Sequence, residues 1–259
     1  MVQALGAWGG PDPEGRRANA LGSNPRLRKS ASMIAYPDAA DLEAWVAPRY
    51  WSAYREGSLR PDYLSNAPFP HAVLPDFLRP EVFERLNADC TALLDEAPKE
   101  EKSSRRFAFP VIPELVGMLY GPEARGLLGS LTGRRLARPT EPVPAATALV
   151  QLRRYERFGA GITAHTDANV GFDMALLLYL KSDWRPGLGG EATLFRRVGG
   201  LLLEDKVVPP LANTAMLMFF SNESHHCVRE MAPNWSRSNL FIGWQTFPAE
   251  PAEEHSLVH

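Results

Sequence analysis

The chain has 259 residues, 45% of them hydrophobic and 22% charged, enough for one sizeable core and within the length that single β-barrel-like domains reach. Its formal charge of −2 gives no electrostatic reason for a nucleic acid or an anionic membrane as partner. No apolar run approaches a membrane-spanning length, and the N-terminus lacks the apolar stretch of a secretory signal. Cys90 and Cys227 lie far apart and suggest no disulfide framework, so reduced thiols in a cytoplasmic protein are expected.

Residues 1–32 hold Gly, Pro, Ser, Asn and Arg without an apolar period and read as a mobile tail. Between Asp38 and Tyr54, Leu42, Trp45, Val46, Tyr50 and Trp51 recur at helical spacing, with Pro48 as a break. A short strand within Ala67–Leu78 leads through a turn to a helix opened by Pro80, a residue suited to the first helical position. Val82, Phe83, Leu86, Cys90, Leu93 and Leu94 form the core-facing stripe of that helix. The charged run 98–109 reads as a solvated loop placed to border a substrate. Two shorter helices are predicted over 113–120 and 122–132, punctuated by Gly121-Pro122. Arg134–Pro144, with three prolines, reads as a linker, so residues 33–145 form a helical support region.

After residue 146 the texture changes to short runs of Val, Leu, Phe, Tyr and Thr separated by Gly, Pro, Asn and Asp. The runs fall near 147–156, 174–181, 191–196, 201–208, 214–220, 226–231 and 239–247. Closely spaced strands with turn signals predict an all-β sandwich or barrel over 146–259. Helices first and strands afterwards place the helices on one outer face of that β core, so that 33–259 make one globular domain.

Within this region lies His165-Thr166-Asp167. On an extended chain a histidine and an aspartate two residues apart project to the same side. With a second histidine from a later strand, His225 or His226, they would make the 2-His-1-carboxylate set of non-heme Fe(II) sites, which leaves positions open on the metal. With six histidines and eleven aspartates, such a triplet arises by chance in roughly one chain in four, so it carries little alone. Adjacent residues on a strand face opposite ways, so only one of the two downstream histidines can face the metal.

The wider series resembles the prolyl-hydroxylase branch of the Fe(II)/2-oxoglutarate-dependent oxygenases. It consists of Tyr155, His165-Thr166-Asp167, Leu178-Tyr179-Leu180, Asp183-Trp184, Leu188-Gly189-Gly190-Glu191, Phe219, His226 and Arg237. Pro68-Phe69-Pro70 and the Pro80 helix resemble that branch's N-terminal support, so the likeness spans about 66–247. It implies a mainly β fold, a double-stranded β-helix or jelly roll with N-terminal helices packed on one face. It also implies Fe(II) held by His165, Asp167 and His226, with 2-oxoglutarate and O2 as cosubstrates and ascorbate as a reductant. His226-Cys227-Val228 fits the family's pattern at the second histidine, with His225 in its aromatic place.

By the same resemblance, Tyr155 and Tyr179 hydrogen-bond the cosubstrate and Arg237 receives its distal carboxylate. Trp184 and Trp244 read as packing residues, Gly189-Gly190 as a tight turn, and Cys227 as a buried structural thiol. One spacing departs from the pattern: counted back from Gly243-Trp244, the arginine belongs at Ser238. A one-residue slip reverses the facing, so Arg237 requires a bulge or a displaced tryptophan, with Arg153 or Arg229 as substitutes. Related halogenating enzymes carry a small residue where Asp167 stands, which favours hydroxylation here. The expected activity is hydroxylation of an unactivated C–H bond of an amino acid, natural product or protein side chain. The alternatives are desaturation, ring closure or epimerisation on the same iron, or a non-catalytic jelly roll that keeps a metal or small acid. The substrate is a small molecule or a peptide, contacted by Lys99–Phe109 and Ala168–Asp173.

Overall fold

The computed structural model describes residues 35–59, 62–100, 105–108, 112–137, 150–156, 161–168, 170–180 and 183–248; the expected tail 1–32 and linker residues 138–144 lie outside them. Five helices come from the N-terminal part: α1 (Leu42–Trp45), α2 (Pro48–Arg55), α3 (Pro80–Glu96), α4 (Pro113–Tyr120) and α5 (Pro122–Thr132). Proline opens α2, α3, α4 and α5, where its missing N–H would have had no acceptor within the helix. The α5 helix ends on Gly133 in the left-handed region, a conformation that a side chain would strain. Val82, Phe83, Leu86, Cys90 and Leu94 are the buried stripe of α3, as the apolar spacing predicts.

The strands are β1 (His71–Leu74), β2 (Lys99–Glu100), β3 (Arg105–Ala108), β4 (Arg134–Ala137), β5 (Val150–Tyr155), β6 (Ile162–His165), β7 (Met174–Tyr179), β8 (Ala192–Val198), β9 (Leu201–Val208), β10 (Ala215–Phe219), β11 (His226–Val228) and β12 (Arg237–Pro248). A larger sheet runs β1-β10-β7-β12-β5-β3-β2, with β4 also paired to β12, and a smaller one runs β6-β11-β8-β9. Pairings among these strands are antiparallel. Two expectations need correction. The run 98–109, read as a loop, supplies β2 and β3, and the segment read as a linker begins with β4. Both are dressed with Lys, Glu and Arg and show little apolar alternation. Their order comes from hydrogen bonds to β5 and β12, and β2 lies at the edge of the sheet, where charged residues are at home.

The two faces of the larger sheet do different jobs. On β12, Leu240, Ile242 and Trp244 face a core shared with Leu86, Leu94, Leu115 and Leu127 of the helices. The alternate residue Phe241 faces a second core between the sheets, with Leu177 and Met218 from the larger sheet and Ala192, Leu194 and Val208 from the smaller. Two facing antiparallel sheets with helices behind one of them form the expected double-stranded β-helix. Among the described residues no helix is long and apolar enough to cross a membrane.

Candidate metal centre

The β6 and β11 strands pair so that His165 and His226 are direct neighbours. Their ring centroids are 4.4 Å apart. In each ring Nδ1 meets a backbone carbonyl two residues upstream, Thr163 O at 2.7 Å for His165 and Ser224 O at 2.9 Å for His226. A carbonyl can only accept, so Nδ1 carries the proton and the Nε2 lone pair is the one presented. Asp167, just beyond the end of β6, completes the cluster. Its Oδ1 is 3.6 Å from His165 Nε2 and its Oδ2 is 3.5 Å from His226 Nε2. One donor atom from each of the three lies within 4.8 Å of the others. Burial would raise the Asp167 pKa, but in the metal-free protein, where no ion claims Nε2 and an imidazole can carry a second proton there, the His226 hydrogen bond, both imidazoles and Arg153 together hold it below the usual carboxylate range. Two imidazole nitrogens and an ionised carboxylate are a donor set suited to a divalent iron, with three protein donors and room for others.

The neighbouring His225 is outside the cluster: its carbonyl accepts from Phe195 N, and its Nδ1 is buried without a hydrogen-bond partner. Phe220 stacks on the His226 ring with 7° between planes and 6.3 Å between centroids, which fixes the orientation of that imidazole. Cys227, expected to be buried, is half-buried and reaches the wall of the cavity beside the cluster.

That cavity runs between the sheets. His165, Asp167 and His226 line it, as do Leu177, Met218 and Phe241, together with Tyr155, Arg153, Arg237 and Asn239. Arg237 is only 2% exposed, and its Nε has no hydrogen-bond partner. It stands opposite Tyr155 in the β5–β12 register, with its guanidinium carbon 5.7 Å from the Tyr155 ring centroid and 5.1 Å from that of Tyr179. Tyr179 is fully buried, and its hydroxyl donates to the Met216 sulfur at 3.7 Å. Arg229 is elsewhere, paired with Glu204 at 2.7 Å. Arg153, by contrast, shares the cavity with Arg237.

The spacing discrepancy at Arg237 resolves without a bulge. The β12 register runs unbroken from Arg237 to Trp244 against β5 and β7, so Trp244 takes the outer face and packs on Tyr120 at 5.6 Å between centroids. The inner place is Gly243, where a side chain would collide with the Phe172 ring. Phe172 fills that space and meets Phe241 edge-on at 6.0 Å. Trp184 is a packing residue, its Nε1 donating to Gly189 O at 3.0 Å. Gly189 and Gly190 have φ of 73° and 77°, and a Cβ on Gly189 would run into the Glu230 carbonyl oxygen, so this turn holds β8 against the segment after β11. Asn239, not singled out in the sequence, is legible in retrospect as the next inward residue after Arg237.

Residues 150–244 match the family model described as the 2OG-Fe(II) oxygenase superfamily. No curated protein matches the chain. Among solved structures the chain is similar to a prolyl hydroxylase from Trichoplax adhaerens in complex with a hypoxia inducible factor oxygen degradation domain peptide fragment. That likeness has a TM-score of 0.54 and 14% identity over 76% of this chain and 92% of that one. It is also similar to a Pseudomonas putida prolyl-4-hydroxylase, with a TM-score of 0.47 and 17% identity over 76% of this chain and 98% of that one. At these identities the first of the two supports the fold and no more.

Proposed function

We propose that the chain, whose residues 150–244 match the 2OG-Fe(II) oxygenase superfamily model, is an oxygenase of that kind and hydroxylates an unactivated C–H bond of an amino acid, natural product or protein side chain. The family works with Fe(II), 2-oxoglutarate and O2. One observation carries the reading: His165, Asp167 and His226 converge in a cavity whose wall also holds the buried Arg237 guanidinium, which forms no ion pair among the described residues. When bound, Fe(II) with 2-oxoglutarate and O2 supplies the oxidising equivalent, the keto acid leaving as succinate and CO2 and one oxygen atom ending on the substrate.

The protein's own residues do the positioning. His165 and His226 keep a proton on Nδ1 and offer Nε2, and Asp167 offers an ionised carboxylate. Arg237 takes the far carboxylate of 2-oxoglutarate through its planar fork, with the Tyr155 and Tyr179 rings walling the guanidinium. Leu177, Met218 and Phe241 keep water from the space between. The substrate enters from an open cleft of about 390 Å³ lined by Ala168, Gly171, Phe172, Asp173, Gln245 and Phe247, a size ordinary for a small molecule or one side chain.

The test supplies the protein with Fe(II), 2-oxoglutarate, ascorbate and air, and screens amino acids and short peptides for stimulated succinate release. The expected product gains one oxygen; loss of two hydrogens would assign a desaturase instead. His165→Ala is expected to abolish the signal, and full activity in that variant rejects the assigned metal site.

A further inference from the structure

The cavity holds a second guanidinium for which the chemistry above has no use. Arg153 lies on β5 directly opposite Asn239 of β12. Its Nε and Nη2 donate to Gln151 Oε1 at 3.0 and 2.6 Å, and its guanidinium carbon lies 3.9 Å from the Phe241 ring centroid. A neutral amide, the neutral Tyr155 side chain, which also hydrogen-bonds the fork, and an aromatic face orient the guanidinium but do not neutralise it. No carboxylate among the described residues forms an ion pair with it; Asp167 acts on it only through space, while burial lowers its pKa. Beside it the Asn239 carboxamide is 1% exposed, with neither Nδ2 nor Oδ1 hydrogen-bonded. Buried polar groups normally have partners, so an unsatisfied amide next to an uncompensated cation marks a place for a ligand.

Charge accounting says which ligand. On the function proposed above, Asp167 offsets one charge of Fe(II) and the near carboxylate of 2-oxoglutarate offsets the other. The far carboxylate offsets Arg237. Among the described residues Arg153 is left over, and of the reaction's own components the substrate remains to bring an anion. We propose that Arg153, with Asn239 beside it, receives a carboxylate of the substrate, so that the enzyme acts on a carboxylate-bearing molecule. Arg153 is thus a specificity-determining residue, distinct in its ligand from Arg237.

Two measurements test this. In the anaerobic Fe(II) protein, 2-oxoglutarate binding is followed by the visible charge-transfer band of the Fe(II)–2-oxoacid chelate. Arg237→Gln is expected to weaken it about tenfold or more, the loss of a charged two-pronged hydrogen bond, and Arg153→Gln less than about twofold. A comparable loss in Arg153→Gln overturns the proposal, since Arg153 then serves the cosubstrate. In the second, sodium acetate and acetamide are the probes, observed by saturation-transfer NMR on the diamagnetic Zn(II)-loaded protein with excess 2-oxoglutarate. Acetate is expected to bind the unmodified protein and to be lost in Arg153→Gln, with acetamide silent. Acetate that binds equally in Arg153→Gln, that 2-oxoglutarate displaces, or that does not bind at all overturns it. Should Arg153→Gln not fold, Arg153→Lys keeps the charge without the planar fork: weakened acetate binding supports the assignment and unchanged binding overturns it. The acetate arm needs no turnover and is repeated without Zn(II) and 2-oxoglutarate, so a protein that forms no charge-transfer band would sink the oxygenase reading while the loss of acetate in Arg153→Gln still decides whether Arg153 is an anion site.

Discussion

Arg237→Met is expected to raise the melting temperature of the ligand-free protein and, in the same variant, to cripple 2-oxoglutarate binding. Arg237 is among the largest fully buried side chains, has no ion pair among the described residues and leaves Nε without a hydrogen bond. The Tyr155 and Tyr179 rings at 5.7 and 5.1 Å recover part of the lost hydration, since a cation over an aromatic face is worth about 1–2 kcal/mol when desolvated. That falls short of the several kcal/mol lost on taking a charge out of water, and a methionine of similar volume carries no such penalty. Replacing even a buried ion pair with apolar volume is neutral or stabilising by about 1–4 kcal/mol, an unpaired charge has no partner to lose, and each kcal/mol is worth about 2–4 °C in a domain of this size. The ligand then reverses the order. 2-Oxoglutarate stabilises the unmodified protein by mass action and does little for the variant, whose KM for the cosubstrate rises about tenfold to a hundredfold. Thermal melts with and without 2-oxoglutarate read both effects. A variant that melts lower without ligand, or that keeps its 2-oxoglutarate response, would show that Arg237 is structural.

Asp167→Ala is expected to lower 2-oxoglutarate-dependent succinate formation about a thousandfold or more, because it removes the anionic protein donor and leaves two imidazoles with Arg153 nearby. The loss of a metal's charge stabilisation is worth several kcal/mol, and each 1.4 kcal/mol is about tenfold in rate. Asp167→Asn keeps the shape but not the charge, and is expected to fail similarly. Stability gives an independent check on the metal-free protein. The folded-state pKa of Asp167 is lowered, so its carboxylate contributes stability at neutral pH that is lost as pH falls through that folded value. The destabilisation caused by Asp167→Asn should therefore be present at neutral pH and close in acid. Chemical denaturation at several pH values measures it, and a difference that widens in acid would contradict the sign.

Much of this was legible in the sequence, for identifiable reasons. Predicted helices at 113–120 and 122–132 coincide with α4 and α5 because proline starts each and glycine follows each. Strand pleat allowed only one of His225 and His226 to face inward, and the resemblance chose the one that the fold brings beside His165. What was missed had no local signal. β6, which carries His165, is partly exposed along its length and shows no apolar alternation; pairing to β11 makes it a strand. β3 and β4 likewise depend on partners distant in the chain, and β2 is ordered on β3. The displaced tryptophan was beyond reach for another reason: only the unbroken β12 register shows that Trp244 faces the helices while Phe172 fills the space over Gly243. The shared inward face of Gln151, Arg153 and Tyr155 follows from strand period alone, but nothing in the sequence shows that Asn239 stands opposite Arg153.

The most direct measurement is anaerobic titration of Fe(II) in the presence of 2-oxoglutarate, in the unmodified protein and in His225→Ala and His226→Ala. If His165, Asp167 and His226 hold the iron, the unmodified protein and His225→Ala bind one equivalent each and develop the charge-transfer band, and His226→Ala does neither. Retention of iron and band in His226→Ala, or their loss in His225→Ala alone, would contradict the centre described here.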